Sequence, residues 1–281
     1  MIYKIIYYYY LLLLIILVIL AIICSTIFLF NKERFPIKEL EDNATFNIYF
    51  CDTAQAMLYD MSYTQLFMSN KIPEWFISKI KYTNFFDLGS GGGIASVHHL
   101  HKYFNKNIHI VLSDLYPKTK LWNKIQQKNI SYIETPVNID HLSNYLVKYP
   151  KYSVSLFGSL HHMEPDDINK LFYTVHNNNT SLFIVEPRRF NTIIQYFQIL
   201  LLPFVGLLFY TLICLFGSFL IPRNIINNII RLITVPFFMT FDHIIGASRR
   251  YTKKQLENIA SNNNLNLYHY CDMTFDYYII T

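Results

Sequence analysis

Phe85-Phe86-Asp87-Leu88-Gly89-Ser90-Gly91-Gly92-Gly93 is the stretch that decides the fold of this chain. An apolar pair leads into an acidic residue, and glycines then fall at every second position. This pattern is typical of a buried strand that ends in a tight turn and opens a helix. A dinucleotide-binding turn would read G-x-G-x-x-G, but Ile94 occupies the third glycine position. The stretch therefore predicts an α/β fold whose ligand-binding turn is of a different kind.

The composition excludes several classes of protein. Of 281 residues, 52% are hydrophobic and 15% are charged, and the apolar excess is concentrated in two uncharged segments, Ile5–Phe30 and Asn191–Pro222. The net charge of +5 comes without a long basic run, so we expect no nucleic-acid partner. The four cysteines are scattered without a C-x-x-C pair, which predicts neither a metal site nor a disulfide framework and fits a domain facing the cytosol.

The first apolar segment has the length of a membrane-spanning helix. Ile5–Phe30 can cross the hydrocarbon core of a bilayer, and Tyr7–Tyr10 supply interfacial rings at one end. It lacks the short apolar core and the small-residue cleavage site of a signal peptide. Only Lys4 precedes it, whereas three basic residues follow it (Lys32, Arg34 and Lys38). Residues 1–30 are therefore predicted to be a retained single-pass anchor, with the body of the protein facing the cytosol.

The second apolar segment, Ile193–Ile221, is also long enough to cross. A single crossing would separate the C-terminal part from the glycine turn, although that part contains strand-like runs that need partners in the same sheet. The segment is also interrupted by helix-breaking residues, namely Pro203, Gly206, Gly217 and Pro222. We interpret it as an apolar helical insertion over residues 191–240, either a hairpin or an element lying in the interface. A true second span with a split domain stays open.

Beyond the glycine turn, strand-like runs alternate with helix-like segments. The expected strands are Ile108–Leu112, Ile130–Ile133, Ser153–Phe157, Ser181–Val185, Leu265–Tyr270 and Phe275–Ile280. The expected helices are Ile94–Phe104, Lys118–Lys128, His141–Lys148, Asp166–Val175 and one through Ala260 that starts at the capping box Thr252–Gln255. Residues 83–281 are thus predicted to form a parallel sheet with helices on both faces, preceded by a helical extension over 31–82.

Polar residues at the strand ends are the candidates for ligand binding, because ligands of such sheets bind there. Asp114 follows the second strand, where a carboxylate can accept hydrogen bonds from both hydroxyls of a ribose. Asp87 can reach an ammonium group of the ligand or hold the turn from behind. Asn138 either reads the edge of an adenine or is an ordinary turn residue.

The fourth strand runs into a second notable stretch, Phe157-Gly158-Ser159-Leu160-His161-His162-Met163-Glu164-Pro165. Either His161 or His162 can take a proton from a substrate hydroxyl or shape the pocket around a reacting group. The alternatives are a structurally bonded buried histidine and a helix start capped by Asp166.

These motifs occur in an order that resembles class I S-adenosylmethionine-dependent methyltransferases. The resemblance covers about Thr83 to Thr281 and also includes Pro136-Val137-Asn138 and Val185-Glu186-Pro187. It implies a Rossmann-like seven-stranded methyltransferase sheet whose last two strands form an antiparallel hairpin, and S-adenosylmethionine as the cofactor. The implied cofactor-binding residues are Asp87, Gly89, Ser90, Gly91, Gly93, Asp114, Leu115 and Asn138, and the implied catalytic residues are His161 and His162.

The closer likeness is to a bacterial-type branch of this family, which carries an apolar insertion and then D-G-x-x-S-x-x-R-x-Y-[ST]. Here that segment spans Asp242–Thr252, with His243 and Gly246 in place of the usual glycine and serine, and Asn138 replaces the usual aspartate of P-V-D. The likeness implies a substrate side formed by Asp242, Arg249 and Tyr251. Asp242 and Arg249 can instead pair structurally.

The sequence thus predicts a membrane-anchored methyltransferase that acts on a small or lipid-like acceptor and needs no metal. A nicotinamide-dependent oxidoreductase would want glycine at position 94, and the Tyr116–Lys120 pair lies too early for its catalytic residues. Two further alternatives stay open: a catalytically inactive binding protein with the same fold, and a purely structural membrane protein.

Overall fold

The computed structural model describes residues 2–31, 36–43, 72–104, 106–125, 127–190, 192–216 and 225–281. The chain divides into two compact units. An apolar unit combines Met1–Asp60 with Arg189–Arg250, and a sheet unit combines Met61–Arg188 with Tyr251–Thr281. The predicted helical extension lies largely outside the described residues, and its described part holds a 3₁₀ turn at Leu40–Asp42 and one short helix at Glu74–Ile77.

A seven-stranded mixed sheet forms the sheet unit and confirms the predicted fold class. Its strands are β1 Asn84–Leu88, β2 Ile110–Ser113, β3 Ile130–Tyr132, β4 Tyr152–Phe157, β5 Leu182–Pro187, β6 Leu267–Cys271 and β7 Phe275–Ile280. The spatial order is β3-β2-β1-β4-β5-β7-β6. The first five strands are parallel, whereas β7 runs antiparallel to both β5 and β6. The carboxyl ends of β1, β2, β4 and β5 therefore meet at one edge of the sheet.

The helices lie between the strands in the predicted alternation. They are α1 Ile2–Asn31, α2 Glu74–Ile77, α3 Ile94–Phe104, α4 Thr119–Trp122, α5 Leu142–Lys148, α6 Pro165–Asn177, α7 Thr192–Phe216, α8 Ile225–Arg249 and α9 Lys253–Asn262. The predicted capping box is present at the start of α9, where the Gln255 N–H donates to Thr252 Oγ1 at 3.1 Å and the Thr252 N–H donates to Gln255 Oε1 at 2.8 Å.

Two apolar cores cover the two faces of the sheet. On one face, α5, α6 and α9 bury side chains such as Leu146, Phe172 and Leu256 against the strands. On the other face, α2, α3 and α4 bury Phe76, Leu100 and Trp122. Each fully buried side chain of this size stabilises the fold by about 1.5–3 kcal/mol, so both layers are needed to hold the sheet.

The predicted helix over Lys118–Lys128 is wrong in its length. Helix α4 ends at Trp122, and the chain turns at Asn123 and Lys124 before entering β3. The buried Trp122 indole donates to the Gly91 carbonyl at 2.8 Å, and Asn123 accepts a hydrogen bond from Tyr132 at 2.6 Å. These two bonds hold the chain along a path that departs from a continued helix. Asparagine at position 123 also has a low helix propensity.

In the part of the apolar unit that the structure describes, three long helices pack together. Helices α1, α7 and α8 bury a common core that includes Leu17, Ala21, Ile199, Ile244 and Ala247. Two stretches, Tyr7–Ile27 and Ile193–Leu212, are long and apolar enough to cross a membrane by length and composition. Helix α8 runs to Arg249, beyond the insertion boundary predicted at residue 240.

The prediction that Pro203 and Gly206 break the second apolar segment is wrong. Helix α7 continues through both residues. A proline inside a helix costs about 3 kcal/mol, and here the helix is retained by packing against α8. A Cβ at Gly206 would lie 3.0 Å from the Thr240 methyl group, so the missing side chain permits a close approach of the two helices. Gly217 and Pro222 lie outside the described residues.

Candidate cofactor and catalytic site

The glycine turn between β1 and α3 has the backbone conformation that its sequence predicts. Gly89, Gly91 and Gly93 have φ angles of +68°, +50° and +82°, in the region that side chains disfavour. At Gly93 a Cβ would also lie 2.8 Å from Leu112 and 2.9 Å from Trp122. Glycine is therefore required at this position by both its backbone and its surroundings.

Hydrogen bonds attach the turn to the end of β2. The Ser90 N–H donates to the Ser113 carbonyl at 2.9 Å, and the Ser113 N–H donates to Ser90 Oγ at 3.1 Å. The Trp122 indole holds the Gly91 carbonyl from the outer side. These bonds fix the turn in one place without a ligand.

Asp114 contacts the turn directly, as its position after β2 predicts. Its Oδ2 accepts the Gly91 N–H at 2.8 Å, and its Oδ1 accepts the Tyr116 N–H at 2.8 Å. Each carboxylate oxygen can accept a further hydrogen bond, so the group keeps capacity for ligand hydroxyls. Leu115, the next residue, is exposed and offers an apolar surface beside this carboxylate.

Asp87 is fully buried at the end of β1. The Ser155 hydroxyl donates to its Oδ1 at 2.7 Å, whereas its Oδ2 is buried without a hydrogen-bond partner. Burial raises the pKa of Asp87 to about 6, and nearby serine hydroxyls offset this only in part. An ionisable oxygen left unsatisfied at this depth is an acceptor that a ligand donor can use.

Ser159 brings the histidine segment to the same turn. A Cβ at Gly89 would lie 3.1 Å from Ser159 Oγ, so the two segments approach closely. The Ser159 hydroxyl is itself buried without a partner in the described structure. This edge of the sheet thus holds two buried polar atoms without a hydrogen-bond partner in the described structure, Asp87 Oδ2 and Ser159 Oγ. Gly89 beside them leaves a space that a side chain would fill. These features fit the cofactor that the sequence resemblance implies.

His161 is held by Glu186, a residue that the sequence reasoning did not include in the site. His161 Nδ1 lies 2.7 Å from Glu186 Oε2, and the Leu160 N–H donates to Oε1 at 2.7 Å. Burial acts to raise the pKa of Glu186, but His161 and these hydrogen bonds outweigh it and hold the pKa below its ordinary value. An ionised carboxylate only accepts hydrogen bonds, so Nδ1 carries the hydrogen and Nε2 is the ring nitrogen that can accept a proton.

The His162 ring lies against the His161 ring in a tilted arrangement. Its ring centroid lies 4.3 Å from that of His161, at an interplanar angle of 35°. Glu186 lies at the end of β5, and this position at a strand end is the sequence signal that could have identified it as a site residue. The histidine segment follows the adjacent β4, and the strand order therefore brings the two together.

Asn138 caps a 3₁₀ turn. It is exposed, and its Oδ1 accepts the Asp140 N–H at 3.2 Å. The structure thus shows Asn138 in the geometry of an ordinary turn residue. Its amide N–H₂ group keeps donor capacity, so a contact with adenine stays a prediction.

The three predicted substrate residues do not lie in one unit. Asp242 and Arg249 are on α8 of the apolar unit, where Asp242 Oδ1 accepts the Leu40 N–H at 2.8 Å and Arg249 donates to the Ile37 carbonyl at 2.9 Å. Tyr251 belongs to the sheet unit, and its hydroxyl donates to the Met163 carbonyl at 2.8 Å, next to the histidine segment. Their role towards a substrate stays a prediction.

Comparisons with known proteins find similar solved structures and no sequence family. No protein-family model matches the chain, and a search of curated proteins finds no match. Human N-acetylserotonin methyltransferase in complex with S-adenosylmethionine is 10% identical with a TM-score of 0.45, and the match covers 86% of this chain and 57% of that one. An O-methyltransferase family protein from Burkholderia thailandensis is 10% identical with a TM-score of 0.42, covering 70% and 50% of the two chains.

A third similar structure is a SAM-dependent methyltransferase from Anabaena variabilis. It is 12% identical with a TM-score of 0.42, and the match covers 92% of this chain and 91% of that one. The chain spans 50% and 57% of the length of the two proteins named before it. At these identities the fold rests on the strand order above, and the function has to be argued from the site.

Proposed function

We propose that this chain is an S-adenosylmethionine-dependent methyltransferase anchored to a membrane. One observation carries the proposal: at the carboxyl ends of β1 and β2, the glycine turn is bonded to Asp114 beside a buried, unsatisfied oxygen of Asp87. This combination offers a carboxylate for hydroxyls and a buried acceptor for a cationic donor within one small region. A nucleoside ligand with an ammonium group matches both.

The proposed cofactor supplies a methyl group that is already activated by a sulfonium centre. The residues that would hold it are the turn Gly89–Gly93, Asp114, Leu115, Asp87 and Asn138. The work left to the protein is to align the reactants and exclude water, because the donor is already activated. No residue on this edge has to act as a nucleophile.

His161 is the residue best placed to take a proton from the acceptor. Glu186 accepts its Nδ1–H, orients the ring and stabilises the positive charge that forms when Nε2 takes the proton. This role is needed only when the acceptor carries a proton that must leave, as a hydroxyl group does. His162, whose ring lies against that of His161, would shape the pocket.

A membrane-partitioned, lipid-like acceptor fits the apolar unit. One side of α7 exposes Ile193, Phe197, Leu201, Phe204 and Leu208, which recur at helical spacing. An apolar stripe of this length is unfavourable in water and favourable in a bilayer. Together with α1, it supports anchoring at a membrane. The basic residues that follow the first apolar segment favour a sheet unit on the cytosolic side.

Calorimetric binding of S-adenosylmethionine tests the cofactor site. The full chain in mild detergent is compared with Asp114→Ala and Gly91→Val, and with Asp140→Ala as a matched control at an exposed carboxylate paired with Lys170. We expect the parent and the control to bind equally and the two site variants to bind at least tenfold more weakly. A folded parent that does not bind contradicts the proposal.

Transfer of a labelled methyl group tests the acceptor. The protein is incubated with labelled cofactor and either a membrane lipid extract or a water-soluble metabolite extract. Label in the lipid fraction, reduced at least a hundredfold in His161→Gln, is expected. Label confined to water-soluble products contradicts the lipid-like acceptor, and cofactor binding without any transfer favours the inactive binding protein.

Membrane flotation and protease accessibility test the location. We expect the full chain to float with vesicles and to resist extraction by high salt, with the sheet unit digested from the cytosolic side. Protection of the sheet unit in intact cytosol-out vesicles would contradict the orientation.

A further inference from the structure

A cluster of metal-binding side-chain types lies on the β6–β7 hairpin. His269 and Cys271 are two positions apart on β6, so their side chains share one face of the sheet. The register pairs Cys271 with Asp276 of β7, and directly paired residues point to the same face. Strand pairing therefore brings together one imidazole, one thiol and one carboxylate that are not contiguous in the sequence.

The distances suit a small cation. His269 Nε2 lies 2.9 Å from Asp276 Oδ1, and the ligand atoms of all three residues lie within 4.8 Å of one another. In a tetrahedral zinc site, bonds of about 2.0–2.3 Å place neighbouring ligand atoms roughly 3.3–3.8 Å apart. Side-chain movements of about 1 Å would bring the three ligands to that spacing.

The surroundings also favour a cation. Side-chain exposure is 20% for His269 and 9% for Asp276, so the cluster is shielded from water but reachable from it. Asp276 is paired on its other side with Glu186, which places two carboxylates side by side on one face. A divalent ion at Asp276 would add positive charge where these two negative groups are neighbours.

We propose that His269, Cys271 and Asp276 form a zinc-binding site that fastens the edge strand β6 to β7. Zn²⁺ accepts nitrogen, sulfur and carboxylate ligands together. On binding, the Cys271 thiol releases its proton to solvent, Asp276 binds through a carboxylate oxygen, and His269 binds through Nε2 and carries its ring hydrogen on Nδ1. The fourth position is left to water or to another ligand.

This site goes beyond the proposed methyl transfer and does not depend on it. The sequence predicted no metal site because no C-x-x-C pair is present, and an H-x-C pair with a distant aspartate carries no recognisable spacing. Among the strands that the structure describes, β6 is at the edge of the sheet and pairs with β7 alone. A metal bridge between the two strands would reduce fraying of that edge.

Cobalt titration of the full chain in mild detergent, after treatment with a chelator, tests the site. A thiolate ligand on Co²⁺ gives a charge-transfer band in the near ultraviolet, which Zn²⁺ then abolishes by displacement. We expect the band in the parent, in the thiol control Cys24→Ser and in the histidine control His109→Gln. We expect no band in Cys271→Ser and at least tenfold weaker binding in His269→Gln.

A folded parent without the band, or a band unchanged in Cys271→Ser, overturns the proposal. Alkylation of Cys271, followed by mass spectrometry, gives a second readout that needs no variant. Stoichiometric Zn²⁺ is expected to slow this alkylation at least tenfold while that of Cys24 is unchanged. Equal rates at Cys271 with and without Zn²⁺ also overturn the proposal.

Discussion

Asp87 and Glu186 are two buried carboxylates at the same edge of one sheet, and their pKa values move in opposite directions. Burial raises the pKa of Asp87 to about 6, because its partners are neutral hydroxyls and one oxygen has no partner. Burial has the same tendency at Glu186, but His161 and the Leu160 N–H reverse it. Two equally buried carboxylates therefore have pKa values shifted in opposite directions when their hydrogen-bond partners differ.

The two carboxylates therefore have different roles at the carboxyl edge of the sheet. At β5 the charge of Glu186 is satisfied within the protein, so this end is complete and positions His161. At β1 the charge of Asp87 is not satisfied, so this end is prepared for a cationic group from outside. In a methyltransferase, the first would serve proton transfer and the second would serve cofactor binding.

Removing the satisfied carboxylate should have the largest effect. Glu186→Ala removes the carboxylate that accepts from His161 Nδ1 and from the Leu160 N–H in a buried site, so we expect a loss of about 3–5 kcal/mol in the free energy of unfolding. Denaturant unfolding of the full chain in mild detergent measures it. Glu257→Ala, at an exposed pair with Lys253, is the control and should cost less than about 0.5 kcal/mol. Equal losses in both variants would show that Glu186 is not a structural anion.

Neutralising the unsatisfied carboxylate should be stabilising and should depend on pH. The folded pKa of Asp87 is raised from 3.8 to about 6, so the folded state binds the proton more tightly than the unfolded state. The Asp87 carboxyl should therefore lower the stability of the parent by about 2 kcal/mol as the pH rises from 4 through 6. Buried His99, whose pKa is lowered to about 4, contributes a change of opposite sign in the same range, so the Asp87 contribution is measured as the difference between the parent and Asp87→Asn. This difference should grow in favour of Asp87→Asn as the pH rises, so that the variant exceeds the parent in stability at pH 8.

Unfolding curves at several pH values from 4 to 8 check this prediction. The depressed pKa of Glu186 contributes stability that is lost only as the pH falls below its ordinary value of 4.5, so its effect lies largely outside this window. A parent and an Asp87→Asn variant with parallel pH profiles would contradict the assignment of a raised pKa to Asp87.

The glycine turn offers a smaller, steric comparison. Gly93 and Gly158 both have positive φ, but a Cβ at Gly93 would meet Leu112 and Trp122, whereas nothing lies within 4 Å of a Cβ at Gly158. Gly93→Ala is therefore expected to cost about 1–3 kcal/mol more than Gly158→Ala, because it adds overpacking to the same backbone strain. Thermal unfolding of the two variants measures the difference. Equal shifts would mean that the turn relaxes around the added methyl group.

The smallest effect is expected at the start of α9. Thr252→Ala removes the side chain that caps α9 and should cost about 1 kcal/mol. Its effect should be independent of pH between 4 and 8, which makes it a baseline for the Asp87 profile. Unfolding curves at pH 5 and pH 8 check both statements.

The sequence predicted well the features that depend on contiguous residues. The glycine turn, helix α3 and strand β7 have local patterns of glycine, apolar period and alternation, and the structure has their predicted bounds. Asp114 was found because its place after β2 follows from the same pattern.

The features that were missed depend on distant partners. Glu186 meets His161, and Asp276 meets Cys271, through strand order and register, which no single stretch encodes. Helix α4 is shortened by contacts of Trp122 and Asn123 with other segments, and α7 continues through Pro203 because it packs against α8. In each case tertiary packing overrides a local preference.

Strand β7 lies between β5 and β6, yet the ribosome makes it only after α7, α8 and α9. During synthesis, β5 therefore presents an unpaired edge with buried-type residues from Leu182 to Val185 while the most apolar insertion is emerging. The sheet can close only after α7 and α8 have been synthesised, so the last strand in the chain completes the sheet from the middle of its order.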